Sequence, residues 1–320
     1  MTTPRNETTP WLALPLPSNK RVRQAMAGAG AGALTKTSVA PLERVKILFQ
    51  IQGMTGETGA NRKYRGLTQA LRLIVAEEGP VALWRGNGAN CVRVVPVYAL
   101  KFAFNDTFKD MVRNENQLTT KDLAVSQRML AGTMAGLCQT TITYPLELVR
   151  TRLSLGSALS GMQYKGIFDC FQTTIKDEGV RALYKGIGPT YLSGAPYVGL
   201  QMTFFDLYKN YLVGSDDTVG GESSFMTSVG NMMAAGAMAG ITAQTITYPG
   251  DTIRRRMQSN GMGGTKRMYN NSWHCTQTII KKEGVIGLYR GLLINCIRGV
   301  PGAAIQFAAY ESLKSVFDAK

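Results

Sequence analysis

The chain has 320 residues, of which 44% are hydrophobic and 18% charged, and its formal net charge at pH 7 is +15. This apolar content excludes a wholly disordered protein, because disorder is marked by low hydrophobicity together with high net charge. Five widely spaced cysteines and a single histidine, His274, exclude a disulfide scaffold, a cysteine-ligated zinc ribbon and a multi-histidine metal site, so we expect no metal and no cofactor.

The first predicted elements are a tail and two long helices. Residues 1–19 are rich in threonine and proline, which indicates a disordered N-terminal tail. The helical stretch Val22–Ile51 is long enough, at about 1.5 Å per residue, to cross the ~30 Å hydrocarbon core of a bilayer with tilt. A polar loop and a short amphipathic helix lead to a second long helix at about Asn87–Val112. Arg93 and Lys109 interrupt this helix, and we expect them to face a bundle interior or a watery cavity, because contact with lipid is unfavourable.

The same organisation occurs three times along the chain. Pro41, Pro145 and Pro249 are spaced 104 residues apart, and each is followed by an acidic residue two positions later and a basic residue five positions later. Each unit also carries a later block that begins with Glu-Gly and ends with an aromatic residue, a basic residue and glycine. This repetition predicts three homologous multi-helix units. The predicted repeats are residues 20–113, 123–213 and 226–318.

Small-residue motifs favour membrane helices over soluble ones. Gly132-x-x-x-Gly136 and Gly236-x-x-x-Gly240 lie among alanine, methionine and leucine, and such motifs let membrane helices approach closely. In a soluble helix, each interior glycine would cost about 1 kcal/mol relative to alanine. The sequence therefore predicts an all-α membrane protein with six transmembrane helices in three tandem two-helix repeats.

The motif P-x-[DE]-x-x-[KR], its three tandem copies and the later Glu-Gly block resemble the mitochondrial carrier family over residues 20–317. The resemblance implies a bundle of pseudo-threefold symmetry in the inner mitochondrial membrane, with three short amphipathic helices on the matrix side and both termini in the intermembrane space. It also implies a monomeric transporter, not an enzyme, whose central substrate site opens alternately to either side. The bilayer would be a partner, with cardiolipin at the matrix-side helix ends as a candidate ligand.

The resemblance implies a matrix gate of ion pairs between the three helices that contain Pro41, Pro145 and Pro249. Each proline bends its helix inward, and the acid and base that follow lie on one helix face. In the family, the acid of one such helix pairs with the base of the next, and glutamines brace the ring. The predicted pairs are Glu43–Arg150, Glu147–Arg254 and Asp251–Lys46, and the predicted braces are Gln50 and Gln258. Ser154 takes the place of a third brace.

A second gate is implied at the cytoplasmic end of the other three long helices. Its family motif is [FY]-[DE]-x-x-[KR], and Phe205 and Tyr310 supply the aromatic residue in the second and third units. Asn105 replaces the aromatic residue in the first unit, so we expect this gate to be weaker. The predicted gate residues are Asp106, Lys109, Asp206, Lys209, Glu311 and Lys314.

Substrate ligands should break the threefold pattern, because a small solute is not threefold symmetric. Lys36 is unique to the first unit, and Ser193 stands where the other units have arginine. The segments around these positions resemble those of the ADP/ATP carriers and of the coenzyme A and adenine-nucleotide carriers. By that likeness, Lys36, Arg93 and Arg298 would bind phosphates, Ser193, Gly194 and Tyr197 would line an adenine slot, and Asn295 would join the site.

The expected function is antiport of adenine nucleotides or of coenzyme A, and the alternative is a carrier of another metabolite class such as basic amino acids. The net charge predicts an anionic partner. Nucleic acid is disfavoured because the charges are spread over three repeats instead of forming one basic stripe. A nucleotide-hydrolysing P-loop at Gly28–Thr37 is excluded because Thr35, not glycine, precedes Lys36.

Overall fold

In a computed structural model, residues 20–55, 62–113, 125–158, 164–213 and 222–318 are described. The predicted tail at residues 1–19 lies outside them. Three times in succession, a long helix is followed by a short helix and a second long helix, so the all-α prediction is confirmed. The helices are α1 (Lys20–Ile51), α2 (Leu67–Glu78), α3 (Asn87–Val112), α4 (Val125–Leu155), α5 (Ile167–Glu178), α6 (Ile187–Val213), α7 (Glu222–Ser259), α8 (Ser272–Glu283) and α9 (Leu292–Asp318).

The six long helices form a closed ring. The second long helix of each unit packs against the first long helix of the next, so that α3 contacts α4 and α6 contacts α7, and α9 closes the ring on α1. The first long helices of the three units, α1, α4 and α7, also contact one another. The chain therefore has the pseudo-threefold arrangement in which three equivalent helices converge on a common axis.

Each of these converging helices continues through its proline. Proline has no N–H, so it leaves the carbonyl four residues earlier without its helical donor. In the first unit this carbonyl belongs to Thr37, and the indole Nε1 of Trp84 donates to it at 2.9 Å. The tryptophan thereby fastens the turn after α2 to the bend in α1 at Pro41.

The hydrophobic core lies where the short helices pack under the ends of α1 and α7. The apolar face of α2 buries Ala70 and Ile74, and the equivalent face of α8 buries Cys275 and Ile279. Each short helix ends at a glycine with positive φ, a backbone conformation that other residues rarely adopt. These glycines are Gly79, Gly179 and Gly284. The amphipathic pattern of the short helices thus fixes α2 and α8 against the ends of α1 and α7.

Of the four glycines in the Gly-x-x-x-Gly motifs, only Gly236 lies at a helix contact, because an added Cβ there would be 3.8 Å from the ring of Phe205 on α6. An added Cβ at Gly132, Gly136 or Gly240 would meet no neighbouring atom within 4 Å. The buried small residues are instead the alanines one position earlier, so the contact register is shifted by one residue. These alanines are Ala27, Ala31, Ala131, Ala135, Ala235 and Ala239.

Among the described residues, Val285–Val316 is the one stretch that is long and apolar enough to cross a membrane by length and composition alone. The converging helices α1, α4 and α7 carry charged residues near Pro41, Pro145 and Pro249, which lowers their hydropathy. The structure places those charges at the convergence of α1, α4 and α7, as described below.

We expect the thiols of Cys170 and Cys275 to be unreactive in the folded protein. Both lie on the buried faces of short helices, and burial raises the pKa of each thiol to about 12. An ordinary thiol, with a pKa near 8.5, is largely ionised at pH 9, and the thiolate is the reactive species. Maleimide labelling at pH 9, followed by peptide mass spectrometry, should be at least about a hundredfold slower for both than after unfolding in detergent. Equal rates would contradict this.

Candidate functional site

Six charged residues meet where α1, α4 and α7 converge. Arg150 forms a direct ion pair with Glu43, and Arg254 forms one with Glu147. The third pair is looser, because the ammonium of Lys46 lies 3.8 Å from the carboxylate of Asp251. The structure therefore brings together all three pairs of the predicted matrix gate.

The looser third pair has a local cause. Lys46 donates a hydrogen bond to Oδ1 of Asn295 at 2.9 Å, and its ammonium lies 5.3 Å from the centre of the Tyr248 ring. Both contacts hold the ammonium away from Asp251. The Asp251 side chain is correspondingly the most exposed of the three acids, at 28% against 13% for Glu43 and 8% for Glu147.

The predicted braces contact tyrosines. The amide of Gln50 donates to the hydroxyl of Tyr248 at 3.1 Å, and that of Gln258 donates to the hydroxyl of Tyr144 at 3.1 Å. Each tyrosine in turn donates to a backbone carbonyl in the turn before the next long helix. We call each Gln–Tyr pair a latch, and each latch joins two repeats.

The third latch is absent because both of its partners are replaced. Ser154 stands where a glutamine would be, and Ala40 stands where a tyrosine would be. The hydroxyl of Ser154 donates to the carbonyl of Arg150 in its own helix. It lies so close to Gly86 that an added Cβ there would be 2.2 Å from it. The contact between α1 and α4 therefore has an ion pair without a latch.

Three fully buried arginines lie beneath the ion-pair ring, and the sequence analysis missed them as a set. Each donates to a glutamate at the end of a short helix and, through Nε, to a backbone carbonyl of the next repeat. The arginine, glutamate and carbonyl residues are Arg44, Glu78 and Ser154 in the first set, Arg152, Glu178 and Gln258 in the second, and Arg256, Glu283 and Gln50 in the third. We call each set an arginine clamp. Each clamp ties a short helix to two repeats.

The three arginines of the clamps do not stand out in the sequence, because the first of them lies at a different distance from its proline. Arg152 and Arg256 come seven residues after their prolines, where the first unit has Leu48. Arg44 comes only three residues after Pro41, one helical turn earlier, and its long side chain reaches the equivalent place. The glutamate of the Glu-Gly block was the member of each clamp that the repeated sequence pattern revealed.

Arg255 is a second residue that the sequence analysis left without a role. Its guanidinium donates to the hydroxyl of Thr151 at 2.6 Å and to Oε1 of Gln258 at 2.9 Å, and it lies 3.6 Å from Glu147. The run of three arginines at 254–256 was its sequence signal. Glu147 therefore faces more than its predicted partner.

The three cations predicted to bind phosphates also reach the ring. Arg298 donates to Glu43 at 2.9 Å, the ammonium of Lys36 lies 4.0 Å from the same carboxylate, and Arg93 lies 3.7 Å from Glu147. The connected group has three carboxylates and seven cations, an excess of four positive charges. Its cations are Lys36, Lys46, Arg93, Arg150, Arg254, Arg255 and Arg298.

The other predicted substrate residues differ in their surroundings. Ser193 is buried, and its hydroxyl donates to the carbonyl of Pro189 in its own helix. Gly194 is exposed and Tyr197 is half-buried. Asn295 accepts from Lys46 and from Arg298. The structure thus joins Asn295 to the cation group, whereas it gives Ser193 a packing contact.

The predicted cytoplasmic gate is unpaired. Within the described ranges, none of its six charged residues forms an ion pair or a hydrogen bond, and each is exposed or half-exposed. These residues are Asp106, Lys109, Asp206, Lys209, Glu311 and Lys314. One end of the bundle is therefore held by ion pairs, while the charges at the other end are apart.

Comparison with known proteins finds similarity to one family over all three repeats. The family model described as "Mitochondrial carrier protein" matches residues 18–116, 121–216 and 226–320. The chain is 37% identical over 303 residues to the "Mitochondrial adenine nucleotide transporter ADNT1" of Arabidopsis thaliana, covering 88% of this chain and 83% of that protein.

Two further relatives match a similar share of this chain. The chain is 34% identical over 301 residues to the "Mitochondrial carrier protein CoAc1" of Arabidopsis thaliana, covering 88% of this chain and 86% of that protein. It is 34% identical over 293 residues to the "Mitochondrial adenyl nucleotide antiporter SLC25A24" of Homo sapiens, covering 91% of this chain and 57% of that protein.

Proposed function

The chain belongs to the mitochondrial carrier family, and we propose that it exchanges adenine nucleotides or coenzyme A across the inner mitochondrial membrane. The observation that carries the proposal is the convergence of Lys36, Arg93 and Arg298 on the ring of ion pairs. Lys36 occurs in one unit alone, and Arg93 and Arg298 have Ser193 as their counterpart in the second unit, so the scaffold alone does not require these cations. A polyphosphate is the anion that can engage several of them at once.

The charge of the site favours a strongly anionic cargo. The excess of four positive charges has no counter-ion in the described part of the chain, and it would attract a nucleotide through electrostatic steering. The alternative cargo, a basic amino acid, would bring a further positive charge into this group. We therefore favour a polyanion over a cationic metabolite.

Substrate binding would couple to the matrix gate through shared partners. Phosphates that bind Arg298 and Lys36 would draw both cations from Glu43, and those that bind Arg93 would draw it from Glu147. Glu43 and Glu147 would then each have fewer cations close to their carboxylates. The closed matrix gate would be weakened, and the equilibrium would shift toward the state that opens to the matrix. The unpaired charges at the cytoplasmic end would pair in that state.

We further propose how the chain sits in the membrane. Each of the repeats at 20–113, 123–213 and 226–318 would cross twice, which places both termini on the intermembrane-space side and the short helices on the matrix side. The carrier would act as a monomer, because the single central site lies within one chain. The bilayer surrounds the carrier, and we propose that cardiolipin binds at the matrix-side helix ends.

Reconstituted protein should exchange nucleotides without altering them. We would load liposomes with ATP, measure uptake of labelled ADP, and add AMP, coenzyme A or ornithine as competitors. The expected result is exchange that nucleotides or coenzyme A inhibit and ornithine does not, with no release of inorganic phosphate. Exchange of ornithine or citrulline that is insensitive to nucleotides would overturn the proposed cargo, and nucleotide hydrolysis would overturn the assignment as a transporter without enzymatic activity.

Replacement of Arg93 should separate substrate binding from folding. Arg93→Ala removes a cation that the equivalent position, Ser193, does not have, so thermal unfolding without ligand should change little. The stabilisation by ATP should be lost, because a ligand stabilises only as far as it binds the folded state. The loss of one charge-assisted contact should weaken the affinity for ATP about tenfold or more. Arg93→Lys should restore part of it, as a point charge without the bidentate fork.

The control for this prediction is Arg72→Ala, which removes an exposed arginine from α2. It should keep the full ATP-induced shift in a detergent-based thermal assay. A shift in Arg93→Ala as large as in the parent protein, or outright unfolding of that variant, would make Arg93 a structural residue.

A further inference from the structure

The contact between α6 and α7 departs from the threefold pattern. In the contact between α3 and α4, Arg93 lies 3.7 Å from Glu147, and in the contact between α9 and α1, Arg298 lies 2.9 Å from Glu43. Ser193 takes the place of these arginines in the α6–α7 contact. Asp251, the equivalent acid on α7, therefore receives no arginine from the neighbouring helix.

A second small residue accompanies the first. Gly250 stands where the other two units have Leu42 and Leu146. Ser193 packs directly on it, since an added Cβ at Gly250 would lie 2.6 Å from the Cβ of Ser193. The two exceptional residues thus touch each other. Together they keep bulk and positive charge away from Asp251.

As a result, Asp251 differs from the other two acids in its free acceptor capacity. Both carboxylate oxygens of Glu43 face cations, and so do both oxygens of Glu147. Oδ2 of Asp251 faces Lys46 at 3.8 Å and accepts from the amide of Gln244 at 3.2 Å. Oδ1 accepts no hydrogen bond from any residue in the described ranges. This oxygen belongs to a side chain that is 28% exposed.

We propose that Asp251 is a specificity-determining ligand of the substrate site, where it accepts a hydrogen bond from an N–H or O–H group of the nucleoside half of the cargo. The inference rests on the proposed function. Phosphate groups carry acceptors and negative charge, so a carboxylate repels them, whereas the amino group of a base and the hydroxyls of ribose are donors. Lys36, Arg93 and Arg298 hold the phosphates.

This arrangement orients the cargo. Its polyanionic end lies at the two contacts that carry arginine, and its donor-bearing end lies at the contact that has a free carboxylate oxygen. An inorganic polyphosphate can use the first part of the site but not the second. The ratio of the affinities for ATP and for inorganic tripolyphosphate therefore reports the contribution of Asp251.

The test compares ATP with inorganic tripolyphosphate on the purified full-length carrier in detergent. Ser193→Arg restores the threefold pattern and gives Asp251 an arginine, and Gly250→Leu forces Ser193 and α7 apart. Each change should lower the ratio of ATP affinity to tripolyphosphate affinity about tenfold, the value of one hydrogen bond to a charged group. Tripolyphosphate itself should bind Ser193→Arg at least as tightly as the parent protein.

The matched control is Gly199→Leu on α6, where an added Cβ meets no neighbouring atom within 4 Å. It should leave the ratio unchanged. If either larger substitution prevents folding, Gly250→Ala decides the question, because its Cβ already meets that of Ser193. An unchanged ratio in the folded variants, while the parent protein binds ATP, overturns this inference alone. Failure of the parent protein to bind ATP or coenzyme A overturns the proposed function itself.

Discussion

Replacement of Arg256 by leucine is expected to destabilise the carrier more than any other single change considered above. Its guanidinium is fully buried and donates both to Glu283 and to the backbone carbonyl of Gln50. Removing one partner of a buried ion pair costs about 3–5 kcal/mol when the remaining charge is left unpaired. Glu283 would keep its ion pair with Arg290, so we expect the lower end of this range. The midpoint of thermal unfolding in detergent should fall by at least about 5 °C.

Two controls make this prediction specific to the arginine clamp. Arg256→Lys should recover only part of the loss, because an ammonium lacks the planar fork that serves carboxylate and carbonyl together. Arg181→Leu, which removes an exposed arginine next to α5, should leave the midpoint nearly unchanged. A midpoint for Arg256→Leu that matches the Arg181→Leu control would show that the clamp does not stabilise the fold.

Charge reversal of one residue in the matrix gate should strongly lower the rate of exchange, and reversal of both partners should restore part of it. For Lys46→Asp and Asp251→Lys, each single reversal places two like charges together, and we expect exchange to fall by at least about tenfold. The double variant re-forms the pair, and coupled residues show interaction energies of about 0.5–3 kcal/mol. Initial rates of nucleotide exchange in liposomes measure both effects.

The same experiment on Glu147 and Arg254 should give a weaker rescue. Glu147 also faces Arg93 and Arg255, so an arginine at position 147 would meet two further cations. Equal rescue at both pairs would argue that these extra contacts have no energetic weight. No rescue in a Lys46 and Asp251 double variant that still binds ATP would show that the two residues do not act as a gate pair.

Much of the fold can be predicted from the sequence, because a repeated pattern is visible without knowledge of the three-dimensional neighbours of any one residue. The predicted second helix coincides with α3, and the proline motif led to three ion pairs that the structure brings together. Three copies of one pattern fix which acid is equivalent to which. Pairing around a ring then follows from symmetry.

Sequence reasoning failed where side-chain length or helix rotation decides the contact. Arg44 has the same role in its clamp as Arg152 and Arg256 have in theirs, although its sequence position is one helical turn earlier. Aligning the three repeats on their prolines does not reveal this equivalence. Gly132, Gly136 and Gly240 were assigned to a helix contact, but the alanine before each of them is the buried residue. A shift of one residue rotates a helix by about 100°. Periodicity specifies a helix, but its rotation depends on packing with neighbours.

The contacts of the substrate cations were likewise beyond the sequence. Arg298 and Lys36 both reach Glu43, which was assigned only to Arg150. Sequence spacing gives the position of a residue along the helix axis but not which carboxylate its side chain reaches. Lysine and arginine side chains are long enough for several of them to share one carboxylate. The asymmetry among the three acids follows from this sharing.

The missing latch between Ser154 and Ala40 limits how carriers of this kind can be recombined. A repeat does not contain its own latches, because each glutamine meets a tyrosine of the repeat before it around the ring. A chimaera that receives a whole repeat therefore inherits a glutamine matched to one neighbour and a tyrosine matched to the other. Inserted beside Ala40, a foreign second repeat with glutamine at position 154 would bury an amide that has no tyrosine to meet. The transferable unit is the pair of residues across the border, and a library built by shuffling repeats should exchange both members together.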